Sequence, residues 1–200
     1  MAFKISLTDK LPEWDIMSVA KLKNFPLEKA DYKPFVQVRC CAVENGEHEE
    51  CGLGIKFTVF EVIKRRESRV SAYFCGKNDE TKNIAVTVGA TGEIAAENGY
   101  GKIDVGYKFF EGEDLQGIYW GAEVFINRKY ISFWDDIISG EVRGNYYKTS
   151  RKGEKDNFGS FYPCDFEEMA GSDLEDSPEN TILLLPKGNE NVGEFYFRRY

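Results

Sequence analysis

From Pro34 onward the chain alternates apolar and polar residues at period two, the spacing of a half-buried strand. Val36, Val38, Cys40 and Ala42 alternate with Gln37, Arg39 and Cys41. Leu53, Ile55, Phe57 and Val59 then alternate with Gly54, Lys56 and Thr58. These two runs predict an antiparallel pair joined through the acidic turn 44–50, with Asn45-Gly46 as turn residues. Val70, Ala72 and Phe74 predict a third strand, Ile84, Val86 and Val88 a fourth, and Ile103, Val105 and Tyr107 a fifth. Trp120, Ala122, Val124 and Ile126 alternate with Gly121, Glu123 and Phe125.

Before Pro34, Phe3, Ile5 and Leu7 alternate briefly, and an irregular wrap then carries Trp14 and Phe25 onto the core. One helix is predicted, because Tyr130, Phe133, Trp134, Ile137 and Ile138 recur at helical spacing and Ser139-Gly140 can end it. That stripe makes Trp134 a core residue. The acidic stretch 167–180 reads as a surface loop, and Leu183 and Leu185, then Phe195 and Phe197, read as two closing strands. Short strands with frequent turn signals predict an all-β chain: an antiparallel β-sandwich, immunoglobulin- or jelly-roll-like, with one short helix, as a single domain over residues 1–200.

The net charge of −8 argues against nucleic acid and anionic membranes as partners, since both are bound by neutralising Lys and Arg. The five cysteines, Cys40, Cys41, Cys51, Cys75 and Cys164, are odd in number and contain no C-x-x-C pair, as expected of reduced thiols. The opening MAFKISLTDK has no apolar core of a signal peptide, so the sequence as given predicts a cytoplasmic location. The lone histidine, His48, sits in a charged turn and is read as solvated; a Ser or Cys triad therefore lacks its usual base. No P-loop, G-x-S-x-G or zinc-ligand spacing is present. No cofactor is predicted, although calcium in an oxygen-rich loop stays open. Carboxylates for glycoside hydrolysis are abundant (Glu61, Glu67, Glu123, Asp135 and Asp136 among them), but abundance alone does not select a pair.

The stretch 144–166 concentrates chemistry. It interleaves Tyr146, Tyr147, Phe158, Phe161, Tyr162 and Phe166 with Asn145, Lys148, Arg151, Lys152 and Asn157. Flat rings beside amides and charges can grip a polar ring, the ring faces taking C–H surface and the polar groups taking hydroxyls. Aromatics plugging one end of a sandwich is the alternative.

Four segments in order resemble short bacterial proteins related to the family 9 carbohydrate-binding module, within the broader group that includes DOMON domains. They are Asn24-Phe25-Pro26 with Tyr32-Lys33-Pro34; ESRVSAYF at 67–74; YWGAEVFIN at 119–127; and GNYYK at 144–148 with FGSFYP at 158–163. The resemblance implies a β-sandwich and non-catalytic saccharide binding. Ligand stacking would fall to Phe161 or Tyr147, and hydrogen bonds to Asn145, Lys148, Glu67 and Arg69. The chain departs from the family pattern where Ser71 and Thr87 stand in place of carboxylates and Phe161 in place of a tryptophan. An oligosaccharide or polysaccharide ligand is thus the leading expectation. A β-sandwich interaction domain that has lost the sugar site, with a protein partner, is the second, and a glycan-active enzyme the third.

Overall fold

The alternating runs become strands, and the strands join into one sheet. A computed structural model describes residues 2–10, 13–26, 34–44, 51–62, 64–115, 117–150, 157–172 and 177–199. Its strands are β1 (Phe3–Thr8), β2 (Ala20–Lys21), β3 (Phe35–Val43), β4 (Gly52–Glu61), β5 (Arg69–Gly76), β6 (Asn83–Gly89), β7 (Ile94–Asn98), β8 (Gly101–Lys102), β9 (Gly106–Asp114), β10 (Gly117–Asn127), β11 (Glu141–Ser150), β12 (Asn157–Ser160) and β13 (Gly193–Arg199). The helices are α1 (Trp134–Ser139), α2 (Glu167–Ala170) and α3 (Pro178–Leu184).

The strand order is β8-β7-β6-β5-β11-β13-β1-β3-β4-β10-β9, with β12 beside β11 and β2 beside β3. The all-β class is as expected, but the strands form one large sheet curled into a half-barrel instead of two separate stacked sheets. The reason lies at the chain ends. β1 pairs in parallel with β13 on one side and with β3 on the other, so the ladder runs unbroken between the two halves. These parallel pairs also mean that the sheet is not wholly antiparallel, as the sequence had suggested.

The predicted inner positions do face one core. Val36, Val38, Leu53, Ile55, Phe57, Val59, Val70, Phe74, Val86, Trp120 and Ile126 are all buried within it. At the joint of the two halves, rings interlock edge to face. Phe74, Tyr146 and Phe195 lie 5.2–5.7 Å apart, and Phe161 meets Phe3 at 5.1 Å and Tyr162 at 4.8 Å. Each such pair adds about 0.5–1.5 kcal/mol beyond area burial.

Four local expectations change. The helix starts at Trp134, after a 3-10 turn over Arg128–Tyr130, and ends at Gly140, whose φ of 103° suits a residue without Cβ. Leu183 lies in α3, not in a strand, and is exposed; Ser177 caps that helix by accepting from the Asn180 amide at 3.1 Å, with Pro178 in its first turn. The stretch 167–180 is therefore partly helical, and the chain has three short α-helices among the described residues. Ile103 and Val105 lie between strands, while β9 is built from residues 106–114, whose pattern is mostly polar. The turn 45–50 with His48, the Tyr32-Lys33 pair, and Arg151 and Lys152 fall outside the described residues.

Candidate functional site

The strand period divides the 144–150 segment between two faces. Tyr146 and Lys148 point into the core, and Asn145 and Tyr147 point to the opposite side of β11. None of these four is exposed to any measurable degree. Asn145 is fully used: its amide donates to the carbonyls of Tyr162 (2.9 Å) and Asn191 (2.8 Å), and its oxygen accepts from the amides of Tyr146 and Tyr162, both at 2.9 Å. Tyr147 donates to the Pro186 carbonyl at 2.5 Å and packs under α2 and α3 with Phe166, Met169 and Ile182. Burial pushes its hydroxyl pKa well up.

Lys148 lies in a closed polar cluster. Its ammonium is 3.0 Å from Glu61, 3.2 Å from the Ser68 hydroxyl and 3.4 Å from the Thr149 carbonyl. Ser68 donates to one Glu61 oxygen at 2.9 Å, and the Trp120 indole donates to the other at 2.8 Å. Burial lowers the lysine pKa, and the Glu61 charge opposes that shift. Arg69 is also buried. It donates to the carbonyls of Arg66 (2.7 Å) and Ser68 (3.0 Å), with Glu93 at 4.0 Å. Glu67 is half-buried beside it. Phe161 is half-buried in the ring cluster at the joint. Ser71 and Thr87 share a hydrogen bond of 2.7 Å and are also sealed from solvent. The predicted residues are thus brought near one another through β5 and β11, but Asn145, Tyr147, Lys148 and Arg69 turn inward, where a ligand does not reach. Neighbouring groups inside the protein take up the polar atoms of Asn145, Tyr147 and Lys148.

An open surface carrying aromatic and polar groups lies elsewhere, on the outer face of β3, β4, β10 and β9. Strand register sets it out as rows running across the strands. Phe35, Phe60 and Tyr119 stand opposite one another on β3, β4 and β10. Their rings are 5.8 and 5.9 Å apart at tilts of 50° and 46°. Phe35 is exposed, and Phe60 and Tyr119 are half-buried. The next row holds Gln37, Thr58, Gly121 and Phe110, with Lys21 of β2 opposite Gln37. The third holds Arg39, Lys56, Glu123 and Lys108.

Two glycines shape this face. Tyr119 lies across Gly112, where a Cβ would run into its ring; at Gly121 a Cβ would meet the Phe57 carbonyl first and then the Phe110 ring. Both rings therefore lie close against the sheet. Lys56 pairs with Glu123 at 3.0 Å and sits 5.4 Å from the Phe110 centroid, and Lys21 sits 5.5 Å from that of Phe35. The sequence carried a signal for this surface. Phe35, Phe60, Tyr119 and Phe110 occupy the outward phase of alternating runs, where polar residues are expected.

Among the described residues no three His, Cys, Asp or Glu side chains gather as a metal site requires, and no helix is long and apolar enough to cross a membrane. No family model matches the chain, and no curated protein matches it in sequence. Among solved structures, that of a putative carbohydrate-binding protein from Bacteroides uniformis ATCC 8492 is similar over 99% of this chain and 100% of its own, with a TM-score of 0.61 and 15% sequence identity. At that identity the likeness is one of fold.

Proposed function

We propose that this protein is a non-catalytic saccharide-binding protein that lays a sugar chain across the outer face of β3, β4, β10 and β9. One observation carries the reading: Phe35, Phe60 and Tyr119 form a row of rings across three adjacent strands, flanked by amide, hydroxyl and charged side chains. Pyranose rings stack their C–H faces on aromatic faces, while hydroxyls pair with groups such as Gln37 and Thr58. Strands repeat at about 4.8 Å, so rings on successive strands suit a ligand that is itself a row of small rings. The tilts between neighbouring rings favour a twisted, soluble chain over a flat crystalline surface. The fold likeness to a protein named for carbohydrate binding supports the reading, as does the resemblance of four segments to the family 9 carbohydrate-binding module. In this account stacking moves from Phe161 and Tyr147 to the open row.

The test is a calorimetric titration of the protein with soluble polysaccharides, including xylan, mixed-linkage β-glucan and polygalacturonate. Saturable binding to at least one is expected. Failure to bind any, in a folded sample, overturns the reading and returns the aromatic face to a protein-contact role.

A further inference from the structure

We infer that the saccharide is acidic: a polysaccharide whose units carry carboxylate or sulfate groups. This rests on the saccharide reading above and narrows it by charge.

The chain as a whole carries a net charge of −8. The outer face described above runs against that balance. It gathers Lys21, Arg39, Lys56 and Lys108 against Glu123, with Asp114 at the end of the β9–β10 hairpin; four cations and two carboxylates leave an excess of two positive charges. Elsewhere on the surface cations are commonly matched with carboxylates, as in Arg143–Glu80 at 3.5 Å, Lys187–Glu97 at 3.3 Å and Lys102–Glu179 at 3.7 Å.

Arg39 is the decisive residue. It stands directly opposite Lys56 in the β3–β4 register, a like-charge pair that costs stability in a sheet. Lys56 is engaged by Glu123. Arg39 donates only to its neighbour Gln37, at 3.2 Å, and has no carboxylate partner among the described residues. Its Nε is buried with no hydrogen-bond partner. The side chain is half-exposed, so its terminal nitrogens can still meet a carboxylate or sulfate as a planar fork.

The geometry places such a group well. The aromatic row and the Arg39 row are four residues apart along the strands, about 13 Å at 3.3 Å per residue. The neutral row of Gln37, Thr58 and Gly121 runs between them. A chain with a unit stacked on the aromatic row extends over the neutral row in its next unit, about 7 Å on, whose acid group then faces Arg39 and Lys108. Nucleic acid also combines planar rings with negative charge. It carries a charge at every nucleotide, however, and calls for more cations than this face offers against the overall acidity.

The experiment titrates the full chain with oligogalacturonate, chondroitin sulfate and its desulfated form, neutral xylo-oligosaccharide and a single-stranded oligonucleotide, at low and high salt. An acidic glycan is expected to bind at least about tenfold tighter than the neutral one, a difference of about 1.4 kcal/mol, and to weaken as salt rises. Arg39→Gln should abolish that preference, bringing the affinity for the acidic glycan down to that for the neutral one. Its melting temperature should hold or rise, because the repulsion with Lys56 is relieved, and Lys21→Gln provides a second variant with a smaller loss. Preference for oligogalacturonate identifies carboxylate as the group, and preference for chondroitin sulfate over its desulfated form identifies sulfate. Equal, salt-insensitive affinity for acidic and neutral glycans overturns this inference while the saccharide reading stands. Binding of no glycan overturns both, as does tighter binding of the oligonucleotide.

Discussion

Replacing Lys148 with methionine separates a buried structural cation from a ligand contact. Methionine keeps the length and apolar stem and removes the ammonium. The loss leaves the Glu61 carboxylate, itself only 6% exposed, with the Trp120 and Ser68 donors but without its ion-pair partner. Removing one partner of a buried ion pair costs about 3–5 kcal/mol. For a chain of this length that lowers the melting temperature by roughly 6–20 °C, at about 2–4 °C per kcal/mol. Adding Glu61→Gln removes the stranded charge and keeps an acceptor for Trp120 or Ser68, so the double variant should recover more than half of the loss. The assay is thermal unfolding of wild type, Lys148→Met and the double variant, followed by circular dichroism. A drop below about 1 kcal/mol for Lys148→Met would mean that the ammonium reaches solvent, and the closed cluster would be wrong.

Other consequences are equally direct. Asn145→Ala strands two carbonyls and two amides in a buried site and should cost at least about 1–3 kcal/mol in denaturant unfolding, since each unmet buried group carries a penalty of that order. Gly112→Ala should leave the melting temperature nearly unchanged but weaken glycan binding, because the added methyl displaces the Tyr119 ring and not the backbone. Stability should fall as pH rises above about 8.5, where thiols ionise in the unfolded chain. Burial pushes Cys41 up to about 12 and Cys75 up to about 11, so their contribution is complete below the unfolded value and is lost as pH climbs through the folded ones. Melting temperature against pH checks this, and Cys41→Ala should flatten the alkaline slope.

The sequence made the inner surface legible because period-two alternation is a local property. Val36 to Ala42, Leu53 to Val59 and Trp120 to Ile126 face the core as their spacing predicts. The joining of two halves into one curled sheet was not legible. It depends on Phe3 meeting Phe195 and Ser6 meeting Cys41, pairings that no window of sequence contains. Leu183 lies in a short Leu-rich run that fits either period, and the Ser177-Pro178 start signal is what marks it as helical. The 144–166 stretch drew attention for a sound reason, its mix of rings and polar groups. Asn145 and Lys148 prove to be polar because they tie buried backbone and a buried carboxylate together, which composition cannot distinguish from ligand contact. Conversely, Phe35, Phe60 and Tyr119 drew none, because each stands alone in its own strand and becomes part of a row only through register.

The most direct measurement is a side-by-side calorimetric titration of wild type, Phe60→Ala/Tyr119→Ala and Phe161→Ala with the polysaccharide that binds best. The open-row account predicts that the double variant loses at least about tenfold in affinity, or about 1.4 kcal/mol, while Phe161→Ala binds as wild type and only melts lower. Loss of binding in a folded Phe161→Ala with full affinity in the double variant would contradict it and return the site to the 144–166 segment.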